Sequence, residues 1–157
     1  DRYRRIFTNM PDLVLCHENT RLFDDEPDPF RPVWATVFAF KKTPTARDFF
    51  ELVGRIERNW SYYRRLFSLS TTNYRNDYAF AMAELILNGH TLPKHTQMPW
   101  GLLTVDTAVE KIDIGPDWIV VRGTHGADIL PRVDLHVMSK SWLQSAGLDE
   151  FIEKAMA

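Results

Sequence analysis

Apolar residues along this chain fall into two periods, and the change from one to the other divides it into elements. Leu13-Val14-Leu15-Cys16, just after Pro11, is a short unbroken apolar run and reads as a buried strand. Val33 to Phe40 (VWATVFAF) is β-branched and aromatic, bounded by Pro32 and by Lys41-Lys42. Its apolar positions are nearly continuous, so the expectation is a central strand buried on both faces. The period then lengthens. Phe49, Leu52, Val53, Ile56, Trp60, Tyr63 and Phe67 recur at mostly three- and four-residue steps and form one stripe. Thr43 is the N-cap and Pro44 the first residue of that helix, expected to run to about Phe67. A second helix is expected over Tyr78 to Leu87, capped by Asn76 or Asp77 and stopped by Asn88-Gly89. Short strands are expected at Leu102 to Val105, Val109 to Ile114, Trp118 to Val121 and Val133 to Met138. Gly115-Pro116 and the stretch from Arg122 to Gly126 punctuate them. A helix over roughly Ser141 to Met156 closes the chain, and Asp1 to Met10 reads as the tail end of another. Phe23 to Pro29 (FDDEPDP) is acidic and reads as a loop, because its two prolines each remove a ladder donor.

The order of strand, strand, long helix, helix, several strands and helix predicts an α/β or α+β fold. A central buried strand, a long amphipathic helix and several short C-terminal strands are its expected parts. A length of 157 residues fits one domain, expected to span 1–157. At 45% hydrophobic and 25% charged, the composition excludes bulk disorder. A net charge of −2 argues against a general affinity for nucleic acid, leaving only the arginines at 2, 4, 5, 55, 58, 64 and 65 to suggest it. The single cysteine, Cys16, excludes an internal disulfide framework. No apolar run approaches the roughly 20 residues of a membrane span, and no signal-peptide pattern is present, so the expected location is the cytoplasm.

Two constellations could carry chemistry. In Val133 to Met138, period two puts Asp134, His136 and Met138 on one strand face and Val133, Leu135 and Val137 on the other. With Lys140 close behind, that face suits a metal-bound diphosphate: imidazole ligates a divalent ion and ammonium neutralises phosphate oxygens. On spacing alone, an ordinary half-exposed strand with polar residues outward accounts for it better. The second constellation is Tyr74-Arg75-Asn76-Asp77-Tyr78 at a helix start. Asp77 could simply cap the helix. Alternatively Asp77 and Asn76 accept hydrogen bonds from a polyhydroxyl ligand on which Tyr74 or Tyr78 stacks. Cys16 reads as a small buried hydrophobe rather than a nucleophile.

The order of elements from about Arg31 to Trp142 resembles the C-terminal, acceptor-side half of GT-A-type nucleotide-sugar glycosyltransferases, loosely the glycogenin-like group. The resemblance rests on the strand at Val33 to Phe40, the helix opening Arg75-Asn76-Asp77, and the late pair His136 and Lys140. It implies that His136 ligates Mn²⁺ or Mg²⁺ on the donor's diphosphate, that Lys140 contacts that diphosphate, and that Asp77 lies near the transferring sugar and the acceptor. The helix-start residues Asn76 and Tyr74, read above as ligand contacts, are then expected to bind substrate. The family's nucleotide-binding half, with its D-x-D motif, would precede this region, so the chain is expected to be a piece of a larger enzyme.

The alternative is a non-catalytic protein-binding or assembly domain, viral or part of a larger complex. Five Trp and ten Phe could leave an exposed aromatic patch for a partner chain.

Overall fold

The computed structural model describes residues 4–8, 10–17, 19–22, 33–91, 96–98, 102–105, 109–124, 126–131, 135–137 and 153. They form a mixed α/β structure. Four helices are present among them: α1 (Arg4–Phe7), α2 (Pro44–Arg58), α3 (Trp60–Leu66) and α4 (Asn76–Leu87). The strands are β1 (Leu13–Cys16), β2 (Asn19–Leu22), β3 (Trp34–Phe40), β4 (Thr96–Gln97), β5 (Leu102–Val105), β6 (Val109–Ile114), β7 (Trp118–Gly123), β8 (Gly126–Pro131) and β9 (Leu135–Val137). The chain divides into two compact units, Asp1–Glu18 with Pro27–Trp100, and Asn19–Glu26 with Gly101–Ala157.

In the first unit the sheet order is β3-β1-β4, with β3 antiparallel and β4 parallel to β1. All four residues of β1 are buried, as its unbroken apolar run predicts. β1, not β3, is therefore the central strand, and the expectation for Val33 to Phe40 is corrected. Among the described residues β3 pairs with β1 alone. Lacking a second neighbour, it leaves Thr36, Phe38 and Phe40 exposed and Ala35, Val37 and Ala39 half-buried. Leu13 faces Phe40 and Leu15 faces Phe38 across the ladder, so these four share one sheet face. That face meets α2 and α4 in a core of Leu13, Leu15, Phe49, Val53, Ile56, Phe80 and Met82. Each fully buried side chain of this size contributes roughly 1.5–3 kcal/mol.

The expected long helix is two helices. Thr43 caps α2 through its hydroxyl, which accepts from the Ala46 amide, and Pro44 opens it. At Asn59 the run breaks. Its backbone amide donates to the carbonyls of Arg55 and Ile56, and its side-chain Nδ2 also donates to the Arg55 carbonyl, at 2.9 Å. An asparagine side chain competing for the backbone carbonyl one turn back is a known helix interrupter. The apolar stripe nevertheless continues across the break, since Trp60 is buried and its indole donates to the Thr72 carbonyl.

Helix α4 begins at Asn76, two residues earlier than expected, and Arg75 occupies the N-cap position without a side-chain cap bond. It ends as expected, with Gly89 in the left-handed region at φ +61°. Residues Ala79 to Glu84 are all buried, so α4 is enclosed over most of its circumference. The buried Glu84 carboxylate meets His17 Nε2 at 2.9 Å.

The second unit pairs the parallel sheet β2-β5-β9 with the antiparallel meander β6-β7-β8. Val105, Val109, Ile112, Ile119 and Val121 form its core, with Leu135 and Val137 packed against it. At the β6–β7 hairpin the Trp118 indole lies across Gly115, where a side chain would collide with the ring. On the outward face Lys111 donates to Asp113 at 2.8 Å, and that hydrogen bond, with Arg122 beside it, holds the Asp113 carboxyl below its ordinary range. Strands β2, β4 and β8 were not anticipated. β2 (NTRL) is mostly polar, β4 has two residues, and β8 (GADILP) starts on glycine, ends on proline and is almost wholly exposed. The acidic segment at Phe23 to Pro29 lies outside the described residues. Of the expected closing helix only Glu153 is described, and it is helical. No helix among the described residues is long and apolar enough to cross a membrane.

Replacing His17 by Ala strands the Glu84 carboxylate in the interior and should cost about 3–5 kcal/mol. Glu84→Gln keeps a hydrogen-bonding partner for His17 and should cost only about 1–2 kcal/mol. Urea denaturation of the two variants measures both. Equal, small losses would show that the pair does not hold α4.

Candidate functional site

Tyr74, Asn76 and Asp77 come together at the entry to α4, as the sequence order requires. Their engagement differs from that of a ligand cradle. Asp77 Oδ1 accepts from the Ala35 amide of β3 at 3.1 Å, and Oδ2 accepts from the Arg75 guanidinium at 3.1 Å. Ala35 lies where the β1–β3 register shifts, between the Leu15–Phe38 and Cys16–Trp34 pairs, so Asp77 satisfies a backbone donor of β3 at that irregularity instead of capping its own helix. The same Arg75 guanidinium lies 5.2 Å from the centre of the Tyr78 ring. Tyr74 packs edge-on against Trp60, with centroids 5.5 Å apart. Burial, and secondarily the Glu57 carboxylate, push its phenol above the ordinary value. Asn76 is exposed.

His136 lies in β9 opposite Thr104, between Leu135 and Val137, which pack on the core of the second unit. It is half-buried. Asp134, Met138 and Lys140 lie outside the described residues. No group of three His, Cys, Asp or Glu side chains gathers as a ligand set among the described residues.

A different locus stands out at the junction of β3 and α2. Phe38 and Phe40 stack with centroids 6.2 Å apart, and Phe50 reaches both, at 5.7 and 4.9 Å. Phe80 and Phe49 continue the cluster inward, where Phe49 is fully buried. At its outer end Phe40 is 44% exposed and Phe38 36%. Beside them opens a pocket of about 390 Å³. Phe40, Phe50, Pro44 and Ala46 supply its apolar lining, and Lys42 and Arg47 stand at it with cationic groups. Arg47 is solvent-exposed and only loosely paired, at 3.5 Å from Asp48 and 3.9 Å from Glu51. Sequence reasoning missed this site because the continuous apolar run was assigned wholly to the interior. The available signal was Lys41-Lys42 at the end of the run, since lysine commonly marks a strand edge.

No protein-family model, no curated protein and no solved structure matches this chain.

Two measurements check the α4 entry. Asp77→Ala should destabilise by about 1–3 kcal/mol, because the Ala35 amide loses its acceptor, while Asp77→Asn, which keeps an acceptor there, should cost less than half as much. The Tyr74 phenol has a raised folded pKa, so its contribution to stability is complete below about pH 10 and is lost as pH rises through the folded value. Thermal unfolding followed from pH 8 to 11.5 should therefore show a steeper alkaline decline in the native chain than in Tyr74→Phe.

Proposed function

We propose that this chain is a non-catalytic protein-binding module whose working surface is the β3–α2 junction. The observation that carries the reading is the contiguous, part-exposed phenylalanine cluster opening onto a concave pocket. Isolated exposed apolar residues are common on any protein, but a continuous aromatic surface beside a hollow is typical of recognition sites. Aromatic side chains also dominate binding energy where they sit in well-packed pockets. Burying the exposed parts of Phe38 and Phe40 against a partner would recover apolar burial that the free chain forgoes.

Glycosyl transfer, with Asp77 at the reacting sugar, Tyr74 and Asn76 in the substrate site, His136 on Mn²⁺ or Mg²⁺ and Lys140 on the diphosphate, has less in its favour. Both carboxylate oxygens of Asp77 are engaged inside its own unit, by a backbone amide and by Arg75. A carboxylate held this way is a structural tie with little freedom to meet a substrate.

Selection of random twelve-residue peptides by phage display against the full chain tests the module reading. An enriched set whose binding is lost in Phe38→Ser/Phe40→Ser, with the variant still folded by circular dichroism, is the expected result. Failure to enrich any set that this variant discriminates would sink the reading. In parallel, Mn²⁺ with a panel of nucleotide-sugars should leave the Tm unchanged. A donor present at about 100 times its Kd would instead add roughly 2.7 kcal/mol and raise it visibly.

A further inference from the structure

The chemistry around the β3–α2 pocket selects one kind of occupant, an inference that rests on the binding-module reading. We infer that the pocket takes the bulky apolar side chain of a peptide segment rich in Asp and Glu. Three separate features set the sign of the charge. Lys42 and Arg47 line the hollow itself. Lys41 is exposed immediately before them. The pocket also sits at the N-terminal end of the 15-residue helix α2, whose first turn holds no acidic residue, so the positive end of its dipole is not offset from within the helix. The apolar floor of Phe40, Phe50, Pro44 and Ala46 sets the other requirement, an aromatic or large aliphatic group. A volume of about 390 Å³ matches one or two large side chains rather than a folded surface. An anionic bilayer would answer to the same cations. The aromatic surface is hollow here, however, whereas membrane binding uses protruding apolar groups. The Asp48 and Glu51 carboxylates flanking Arg47 would also oppose a continuous anionic plane more than a single inserted peptide.

Three synthetic peptides of one length test this against the full chain: a tryptophan flanked on both sides by glutamates, the same peptide with glutamine for glutamate, and the same with lysine. Fluorescence anisotropy reads affinity, and NMR shift changes locate the site. The glutamate peptide should bind about tenfold more tightly than the glutamine peptide, lose that advantage as salt is raised, and perturb Phe40, Lys42 and Phe50. The double variant Lys42→Glu/Arg47→Glu changes only exposed side chains and should invert the order, favouring the lysine peptide. Equal binding of the glutamate and glutamine peptides overturns the acidic partner while leaving the module reading intact. No binding by any peptide overturns the inference, and the display selection then decides the module reading independently. Sedimentation with phosphatidylserine vesicles, but no peptide binding, overturns it in favour of a lipid surface. Concentration-dependent shifts at the same residues without any peptide overturn it in favour of a second copy of this chain.

Discussion

The first unit depends on how a nearly all-buried helix is tied to its sheet. Helix α4 presents six consecutive buried residues, Ala79 to Glu84, and such a helix has almost no solvated face on which to place polar groups. Its two carboxylates, Asp77 and Glu84, are seven residues apart and therefore lie on the same side, two turns from each other. Each closes on the sheet side. Asp77 accepts from Ala35 in β3, and Glu84 meets His17 just past β1. Apolar burial supplies the driving force for this packing but is indifferent to register. The two polar ties are directional, and only one placement of α4 satisfies both. A buried carboxylate is costly unless it is partnered, so the arrangement disfavours any register that leaves Glu84 alone.

Asp77, a candidate ligand group by its sequence neighbours, has both carboxylate oxygens engaged within the fold, by the Ala35 amide and by Arg75. An aspartate in the first turn of a helix, bracketed by tyrosines and next to arginine, has the composition of a sugar site. The relevant neighbour is Ala35, forty-two residues earlier, whose amide lies where the β1–β3 register shifts and donates to Asp77. That long-range neighbour has no local signature, so the sequence could not show that Asp77 accepts from a strand amide. The same distance problem hid the order of the sheet. The run at β1 is continuously apolar and that at β3 nearly so, and periodicity alone cannot say which has two neighbours. The four-residue run proved central and the seven-residue run peripheral.

Where local chemistry decides, the sequence was legible. The Thr43-Pro44 start of α2, the Gly89 stop of α4 and the core stripe of Phe49, Val53, Ile56 and Trp60 all follow from short-range rules. The break at Asn59 is also local, but it was masked because the apolar stripe passes through it without a phase error. Strands β2 and β8 were hidden for the opposite reason. Largely polar or exposed, they are held by ladder partners rather than by their own burial pattern.

The pocket at the β3–α2 junction follows from these same constraints. An edge strand that ends in exposed phenylalanines invites unwanted pairing, and Lys41-Lys42 at its end is the usual protection. The chain then turns at once into α2 through Thr43 and Pro44, which brings the protective cations, the helix's positive end and the last aromatic of the strand together. Protection alone would be served as well by a polar residue at position 40, whose side chain is nearly half exposed. Phe40 instead gains only part of the burial a core phenylalanine enjoys while keeping Phe50 partly uncovered with it. The proposed binding role would account for an apolar floor retained at that disadvantage, beneath cations whose loose pairing with Asp48 and Glu51 contributes little to stability.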